Sequence, residues 1–437
     1  MRSVLIGEKG IMSENQTTVT RRDFVKAASA ATAAAAFAQP LGVFAQGSDA
    51  IKVGVIGCGG RGTGAALDCL KGAQGVEIVA LGDLVPDRVE SALARLTKEF
   101  PDRVKVTKDH QFTGFDNYKG VLSVPGVNLI ITAAPPGFRP IHLKAAVEAG
   151  KHVFMEKPVA VDPVGVRSVI ASSELAKQKG LAIVAGTQRR HQQRYLEMMK
   201  RVQDGQIGEI VAAQCYWNQG DLWVKERTAG MSEIEWQCRN WLYFTWTSGD
   251  HIVEQHVHNI DVVNWAMGCM PRNVMGMGGR QVRVAPEYGN IYDHFAVEFE
   301  YPNGVRVSSM CRQTKGANDR VEERIVGTKG VALSTSNSTK ITGATEWTFQ
   351  GDEINPYVQE HIDLIASIRA GKPLNEGRQI AESTMCAIMG RMSAYTGRAL
   401  SWEWAMNTSK LDLSPAKYEF GPNPVDPVAM PGVTPLV

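Results

Sequence analysis

The first sustained pattern in the chain begins at Ile51, where the run IKVGVI is apolar almost throughout and stops at Gly57. A short apolar run closed by a turn residue predicts a strand buried on both faces. A small-residue helix start follows in GCGGRGTGAALDCL, and the alternation then repeats. VEIVALGD reads as a second buried strand, VNLIITAAPP as a strand running into a proline turn, and HLKAAVEAG as a helix with a glycine stop. KHVFMEKP is a further strand, and LAIVAGTQRR is a last one behind the helix that ends before Gly180. Strands alternating with helices predict an α/β fold, a doubly wound parallel sheet that presents its ligand at the carboxyl ends of the strands.

Farther along, the period changes. HFAVEFEYPNGVRVSSMCRQ alternates apolar and polar residues about Pro302-Asn303-Gly304, a hairpin signal for a second sheet. From Pro356 to Arg398 the spacing becomes helical, and this segment is expected to return beside the first domain. The last 23 residues hold six prolines and predict an extended arm, either wrapped on a neighbouring subunit or mobile. The shifts give a nucleotide-binding domain over 50–190, a second domain over 191–355, returning helices over 356–400 and a proline-rich arm over 401–437.

Ahead of these lies TRRDFVKAAS, Thr20 to Ser29, which sets Arg21, Arg22 and Lys26 before a mildly apolar run from Ala27 to Ala38. Small-residue cleavage patterns follow at Ala36-Phe37-Ala38 and Val43-Phe44-Ala45. The segment reads as a signal for export of a folded protein through the twin-arginine machinery, to the periplasm or the exterior. Its apolar run is shorter than the roughly 18 residues a membrane span needs, so the mature form is expected to carry no membrane anchor. With residues 1–45 set aside, about 390 remain, which exceeds the roughly 250–300 at which a single core stops growing and predicts two domains.

Composition narrows the partners. Hydrophobic residues make up 44% of the chain, charged residues 21%, and the formal net charge is +2 with no basic run, which argues against nucleic acid and anionic membrane. The seven cysteines are scattered, odd in number and without a CxxC pair, which suits neither a disulfide framework nor a zinc site.

The glycine turn carries the first candidate chemistry. Gly57 permits the tight turn, Gly59 lets backbone amides approach a pyrophosphate, and Gly62 lets the helix pack closely on the strand, with Gly60 and Arg61 in the same loop. The helix N-terminus then points its unpaired N–H groups at the phosphates. Asp83 ends the second strand 21 residues after Gly62, where a carboxylate accepts from an adenosine ribose. It would repel a 2′-phosphate, so NAD is favoured, while nearby Arg88 leaves NADP open.

These motifs, with HLKAAVEAGKHVFMEKPVAVD, GTQRRHQQRYLEMMKRVQDGQIGEI and EQHVHNIDVVNWAMG, resemble the glucose-fructose oxidoreductase and inositol dehydrogenase family, Gfo/Idh/MocA, over nearly the whole chain after the leader. The resemblance implies a Rossmann domain followed by an α/β domain with a large, open, mostly antiparallel sheet that commonly supports homodimers or homotetramers. It also implies NAD(P)-dependent oxidation or reduction at a sugar or polyol hydroxyl. Glu156-Lys157-Pro158 is its most specific element, in which Lys157 matches the catalytic lysine and Lys157-Pro158 a bond that is often cis.

Read from the residues, Lys157 ends a buried strand beside the expected nicotinamide, where desolvation and a neighbouring positive charge would lower its pKa towards the working pH. An ion pair with Glu156, assigned to the cofactor side, is disfavoured because adjacent strand residues point to opposite faces. Glu254, His258 and Asp261 fall at i, i+4 and i+7, one helical face. His258 is expected to relay a proton or hold a substrate hydroxyl, titrating near neutrality. Glu254 stands where the family usually has Asp, and His256 where it has a small residue. His251, His256 and His258 lack HExxH or Cys company, so no metal is expected.

For the substrate, Arg190, His191 and Asp261 are candidates, together with Trp223 from a segment that holds five of the nine tryptophans and suits a sugar ring. A nucleotide site behind an export signal suggests a retained cofactor whose redox state each turnover restores, as in ping-pong oxidoreduction between two sugars. Redox-neutral, NAD-dependent glycoside cleavage is the alternative. A non-catalytic sugar-binding protein is the third reading, disfavoured by the presence of Lys157 and His258.

Overall fold

The computed structural model describes residues 50–437, apart from Ser336. The export-signal reading of residues 1–45 lies outside the described residues.

Six strands form the first sheet, β1 Ile51–Ile56, β2 Val76–Asp83, β3 Gln111–Thr113, β4 Leu129–Thr132, β5 His152–Met155 and β6 Ile183–Ala185. They run parallel in the order β3-β2-β1-β4-β5-β6, the doubly wound arrangement whose order reverses between β1 and β4. The uninterrupted apolar runs follow from this architecture, because helices cover both faces. Those helices are α1 Gly60–Gly72, α2 Pro86–Glu99, α3 Asn117–Ser123, α4 Arg139–Glu148 and α5 Pro163–Gln178.

After α6 Gln193–Gln203 the chain enters the second sheet with β7 Ile210–Gln219. Short helices α7 Glu233–Arg239, α8 Thr245–Ser248 and α9 His251–Glu254 then lead into α10 Val257–Met267. The sheet is completed by β8 Asn273–Gly279, β9 His294–Glu300, β10 Arg306–Gln313, β11 Arg320–Gly327, β12 Gly330–Thr335, β13 Thr339–Gly343, β14 Trp347–Thr348 and β15 Leu400–Ser401. Its nine strands are ordered β14-β13-β12-β11-β7-β10-β9-β8-β15, all antiparallel except β7 with β10. The expected hairpin is β9–β10, where Gly304 takes φ +82° and Tyr301 N donates to Val305 O at 2.9 Å. Burial alternates along both strands, so one face of the sheet is covered and the other is open.

The two layers expected as domains share contacts closely enough that the described residues form one compact unit. The reason lies in the returning helices, α11 Pro356–Arg369 and α12 Gly377–Thr396, which precede a last short helix, α13 Trp402–Asn407. α12 is buried along nearly its whole length and packs against α5 of the first layer and β8 of the second sheet. One core therefore runs from Ile56 and Met155 to Val297 and Phe299. The proline-rich arm lies along its own chain, with Gly432 N donating to Thr396 O at 3.0 Å and Tyr292 Oη to Ala429 O at 2.9 Å. Among the described residues no helix is long and apolar enough to cross a membrane.

Candidate functional site

The glycine turn joins β1 to α1 under tight steric limits. Gly57 has φ +92°, and a Cβ there would lie 2.3 Å from Ala134 N. A Cβ on Gly62 would lie 1.8 Å from Gly57 O, so the helix can meet the turn only without a side chain. Cβ atoms at Gly59 and Gly60 would meet nothing within 4 Å, which leaves open space in front of the helix N-terminus. α1 has no side-chain cap and no acidic residue in its first turn, so its positive end is unopposed. A cleft of about 610 Å³ lies over this turn and continues past Asp83 to Asp87 and Arg88. This cradle fits a dinucleotide, with the pyrophosphate at Gly59 and Gly60 and the adenosine end beyond.

Asp83 sits at the end of β2. Its Oδ2 accepts from Cys58 N at 2.7 Å and its Oδ1 from Val85 N at 3.2 Å, which fixes the carboxylate against the turn. Burial raises its pKa, with Arg88 and the backbone donors acting the other way.

Arg61 bonds within the protein. Its guanidinium bonds Glu156, reaches Glu360 at 3.2 Å and Asp68 at 3.3 Å, and lies 4.6 Å from the Tyr357 ring centre. The Glu156 carboxylate, expected on the cofactor side, thus bonds the Arg61 guanidinium and, at 3.2 Å, the backbone N–H of Lys157, but not the Lys157 ammonium. Glu360 is fully buried, and burial followed by the Glu156 charge pushes its pKa well up. No sequence signal marks Glu360, because it arrives on α11 almost 300 residues after Arg61.

Lys157 follows the end of β5, and its bond to Pro158 is cis. Its Nζ donates to the backbone oxygen of Glu254 at 2.7 Å and to Glu254 Oε1 at 3.3 Å. The single helix expected across Glu254, His258 and Asp261 is in fact broken at Gln255 and His256, between α9 and α10. His258 N turns to Gln255 O, at 3.4 Å, which leaves the Glu254 carbonyl free for the lysine. Asp250 is held at φ +72°, with its Oδ2 accepting from Tyr292 N at 2.7 Å and Tyr395 Oη at 2.6 Å.

His258 is buried and stacks on Trp217, with ring centroids 5.7 Å apart. Titration near neutrality was expected, but burial first, then the charges of Lys157, Arg189 and Arg61, push its pKa well down. The ring is neutral at ordinary pH, and its Nδ1 has no partner among the described residues. Glu254 Oε2 likewise has none. Lys157, Glu254 and His258 thus form one cluster with acceptor positions to spare.

The four substrate candidates are placed differently. Arg190 and Asp261 hold each other through two 2.8 Å bonds, Ser383 Oγ adds a third to Asp261 at 2.8 Å, and the guanidinium covers Trp265. Asp261 is buried and Arg190 largely so, and the pair ties the 3₁₀ turn at Arg190 to α10. His191 is consumed by Asp363 at 2.6 Å, with Glu376 at 3.1 Å from Nε2 at a poor angle. Burial opposes its charge, but these carboxylates overrule it and raise its pKa to about 10. Trp223 lines the dinucleotide cleft with Asp83 and Asp87, whereas neither Lys157 nor His258 does. Arg189 pairs with buried Glu323 and lies over Trp217, the ring that stacks on His258.

The histidines near His258 face separate partners, His251 Nδ1 to Asp250 Oδ1 at 3.1 Å and His256 Nε2 to Ser309 Oγ at 2.7 Å. Among the described residues no group of three or more His, Cys, Asp or Glu side chains is placed to hold a metal ion.

Comparison with known proteins adds two domain matches. Residues 51–187 match the model "Oxidoreductase family, NAD-binding Rossmann fold", and residues 195–333 match the "GFO/IDH/MocA C-terminal domain". An inositol 2-dehydrogenase/D-chiro-inositol 3-dehydrogenase of Lactiplantibacillus plantarum is 24% identical over 59% of this chain and 63% of its own length. A scyllo-inositol 2-dehydrogenase (NAD(+)) of Bacillus subtilis is 23% identical over 64% of this chain and 72% of its own. The chain thus spans a little under two thirds of the first relative and rather more of the second. An aldose-aldose oxidoreductase from Caulobacter crescentus, solved with glycerol, superposes with a TM-score of 0.65 over 80% of this chain and 99% of its own, at 16% identity. That likeness is one of fold.

Proposed function

From the premise that this chain belongs to the Gfo/Idh/MocA oxidoreductase family, with its NAD-binding Rossmann fold, we propose that it transfers hydride to and from a sugar or polyol carbon bearing a hydroxyl. The observation that carries the reading is the Lys157 Nζ held by Glu254 at 2.7 Å beside a buried, neutral His258. The bound dinucleotide, NAD by preference over NADP, supplies the hydride acceptor and donor. After its two bonds to Glu254, the third position of Lys157 Nζ is left to face the substrate hydroxyl. In the oxidising direction Lys157 acts as its neutral amine and takes the hydroxyl proton as hydride leaves the carbon, and in the reducing direction its ammonium returns that proton. Trp217, stacked on His258, fixes the ring and excludes water from one side.

The cycle we propose keeps its cofactor bound and oxidises one sugar while reducing another. The paired arginines of TRRDF support export of the folded protein, and an exported enzyme has no pool from which to exchange its dinucleotide. The open face of the nine-stranded sheet, with Met275, Met277 and Met310 exposed, supports a homodimer or homotetramer. The test is to purify the processed protein, denature it and assay the supernatant for NAD(H) and NADP(H). About one dinucleotide per chain, with sugar pairs interconverted without added cofactor, is expected. A protein that emerges empty yet binds NAD readily would refute the retained cycle and leave a dehydrogenase with exchangeable cofactor.

A further inference from the structure

The dinucleotide cleft has a wall that the first sheet does not supply. Trp223, Lys225, Arg239 and Trp241, all from the chain between β7 and α10, line it opposite Asp83 and Asp87. At the adenosine end the two sides are joined. Arg239, the last residue of α7, donates through Nη1 and Nη2 to the two oxygens of Asp87 at 3.0 and 2.9 Å, and Asp87 stands in the first turn of α2. Glu235 holds the same guanidinium from behind, accepting from Nε at 3.0 Å.

α7 is anchored in turn by the C-terminal arm. Ile234 N donates to Gly421 O at 3.3 Å, Asn423 N to Glu233 Oε2 at 2.9 Å, and the Asn423 and Gln237 amides bond each other at 2.7 Å. Just before these contacts, Tyr418 and Phe420 pack on Phe115, with centroids 6.2 and 5.2 Å away, and Phe115 belongs to the cleft wall. The arm therefore grips both sides of the closure.

We infer that Arg239 and Asp87 form a clasp across the adenosine end of the cleft, and that the C-terminal arm holds the clasp shut and so sets the lifetime of the bound dinucleotide. This rests on the reading of the cleft as a dinucleotide site and gives cofactor retention a physical cause. A ligand seated between Gly59 and Asp83 leaves past α7 only after the bidentate pair opens. A half-exposed pair alone is a weak barrier, which is why the arm matters: it keeps α7 from swinging away when the pair breaks.

The experiment uses the full-length protein loaded with NADH and follows loss of bound-nicotinamide fluorescence while a trapping dehydrogenase consumes free NADH. Arg239→Ala and Asp87→Ala are each expected to release NADH about fivefold faster, the scale of one bidentate pair at a half-exposed site. The double exchange Arg239→Asp with Asp87→Arg is expected to return the rate to near that of the unmodified protein, which a fold defect would not do. Asn423→Ala, remote from the cleft, is expected to accelerate release as well. Wild-type release rates in both single variants, or an exchange variant as fast as the singles, overturn the clasp. An unaffected Asn423→Ala overturns the role of the arm. If the unmodified protein itself lets NADH go within one turnover, the retained cycle falls, while faster singles would still support the clasp.

Discussion

Lys157 Nζ lies 2.7 Å from the backbone oxygen of Glu254, an acceptor that exists because the helix is interrupted immediately after it. In a continuous helix that carbonyl would accept from His258 N. Breaking the ladder supplies the lysine with an acceptor that no side-chain substitution can remove, and it turns His258 on α10 towards the same space. Lys157→Met removes the amine while preserving length and bulk. Its expected outcome is a loss of about 10²–10⁴ in kcat with dinucleotide binding retained, measured by turnover and by fluorescence titration with NADH. Full activity would exclude Lys157 from the chemistry.

Glu254 contributes two acceptors, and they can be separated. Glu254→Gln keeps the backbone oxygen and an amide oxygen near Nζ but removes the charge 3.3 Å away. The expected cost is about tenfold in kcat, far less than for Lys157→Met, because the shorter 2.7 Å bond remains. A loss equal to that of Lys157→Met would mean that the carboxylate itself carries the proton.

The same two residues show what a sequence can and cannot disclose. The glycine turn, Asp83 and Lys157 were legible because local rules place them: a buried strand, a forced φ at Gly57, and the carboxyl end of a parallel strand. The break at Gln255 and His256 was not, since neither residue is the glycine or proline that would mark it, and the His256 ring is held by Ser309, 53 residues along the chain. Arg189 and Arg190 lie in a four-residue 3₁₀ turn, where neighbours point about 120° apart and no periodicity tells which side each faces. Arg189 lies over Trp217, which stacks on His258, whereas Arg190 faces Asp261 and Trp265. Trp223, which lines the dinucleotide cleft, was not placed by a local rule either. It lies in an irregular segment whose path is set by tertiary bonds, Tyr243 Oη to Trp223 O at 2.9 Å and Lys225 N to Asn240 Oδ1 at 2.8 Å.

The Arg190–Asp261 pair separates a structural role from a substrate role. Asp261→Ala leaves the Arg190 guanidinium buried without its counter-charge, and removing one partner of such a pair costs about 3–5 kcal/mol. The expected result is a large fall in Tm and in the urea midpoint, with KM for the sugar little changed in whatever protein remains folded at low temperature. An unchanged Tm with a raised KM would instead restore Asp261 to the substrate.

Histidine burial predicts how stability responds to acid. Burial pushes His142, His256 and His361 each down to about 3, so in the folded state they stay neutral while the unfolded chain takes up protons below its ordinary value near 6.5. Each therefore withdraws stability as pH falls from about 6.5, by about 1.4 kcal/mol per pH unit. His191 has the opposite sign: raised to about 10, it stabilises fully below about 6.5 and loses that contribution as pH rises towards 10. Buried Glu360, whose pKa burial pushes up in the fold, partly offsets the acid loss, so the total slope is a poor test and the difference made by one residue is a good one. His361 suits the purpose, because neither ring nitrogen has a partner among the described residues and the ring lies 4.1 Å from that of Phe154. His361→Phe is expected to be neutral or stabilising at pH 7, since it buries carbon in place of two unsatisfied nitrogens. Between pH 5 and 6.5 it should remove about one proton from the slope of unfolding free energy against pH, measured by urea unfolding. An identical slope in the two proteins would show that His361 does not carry this acid sensitivity.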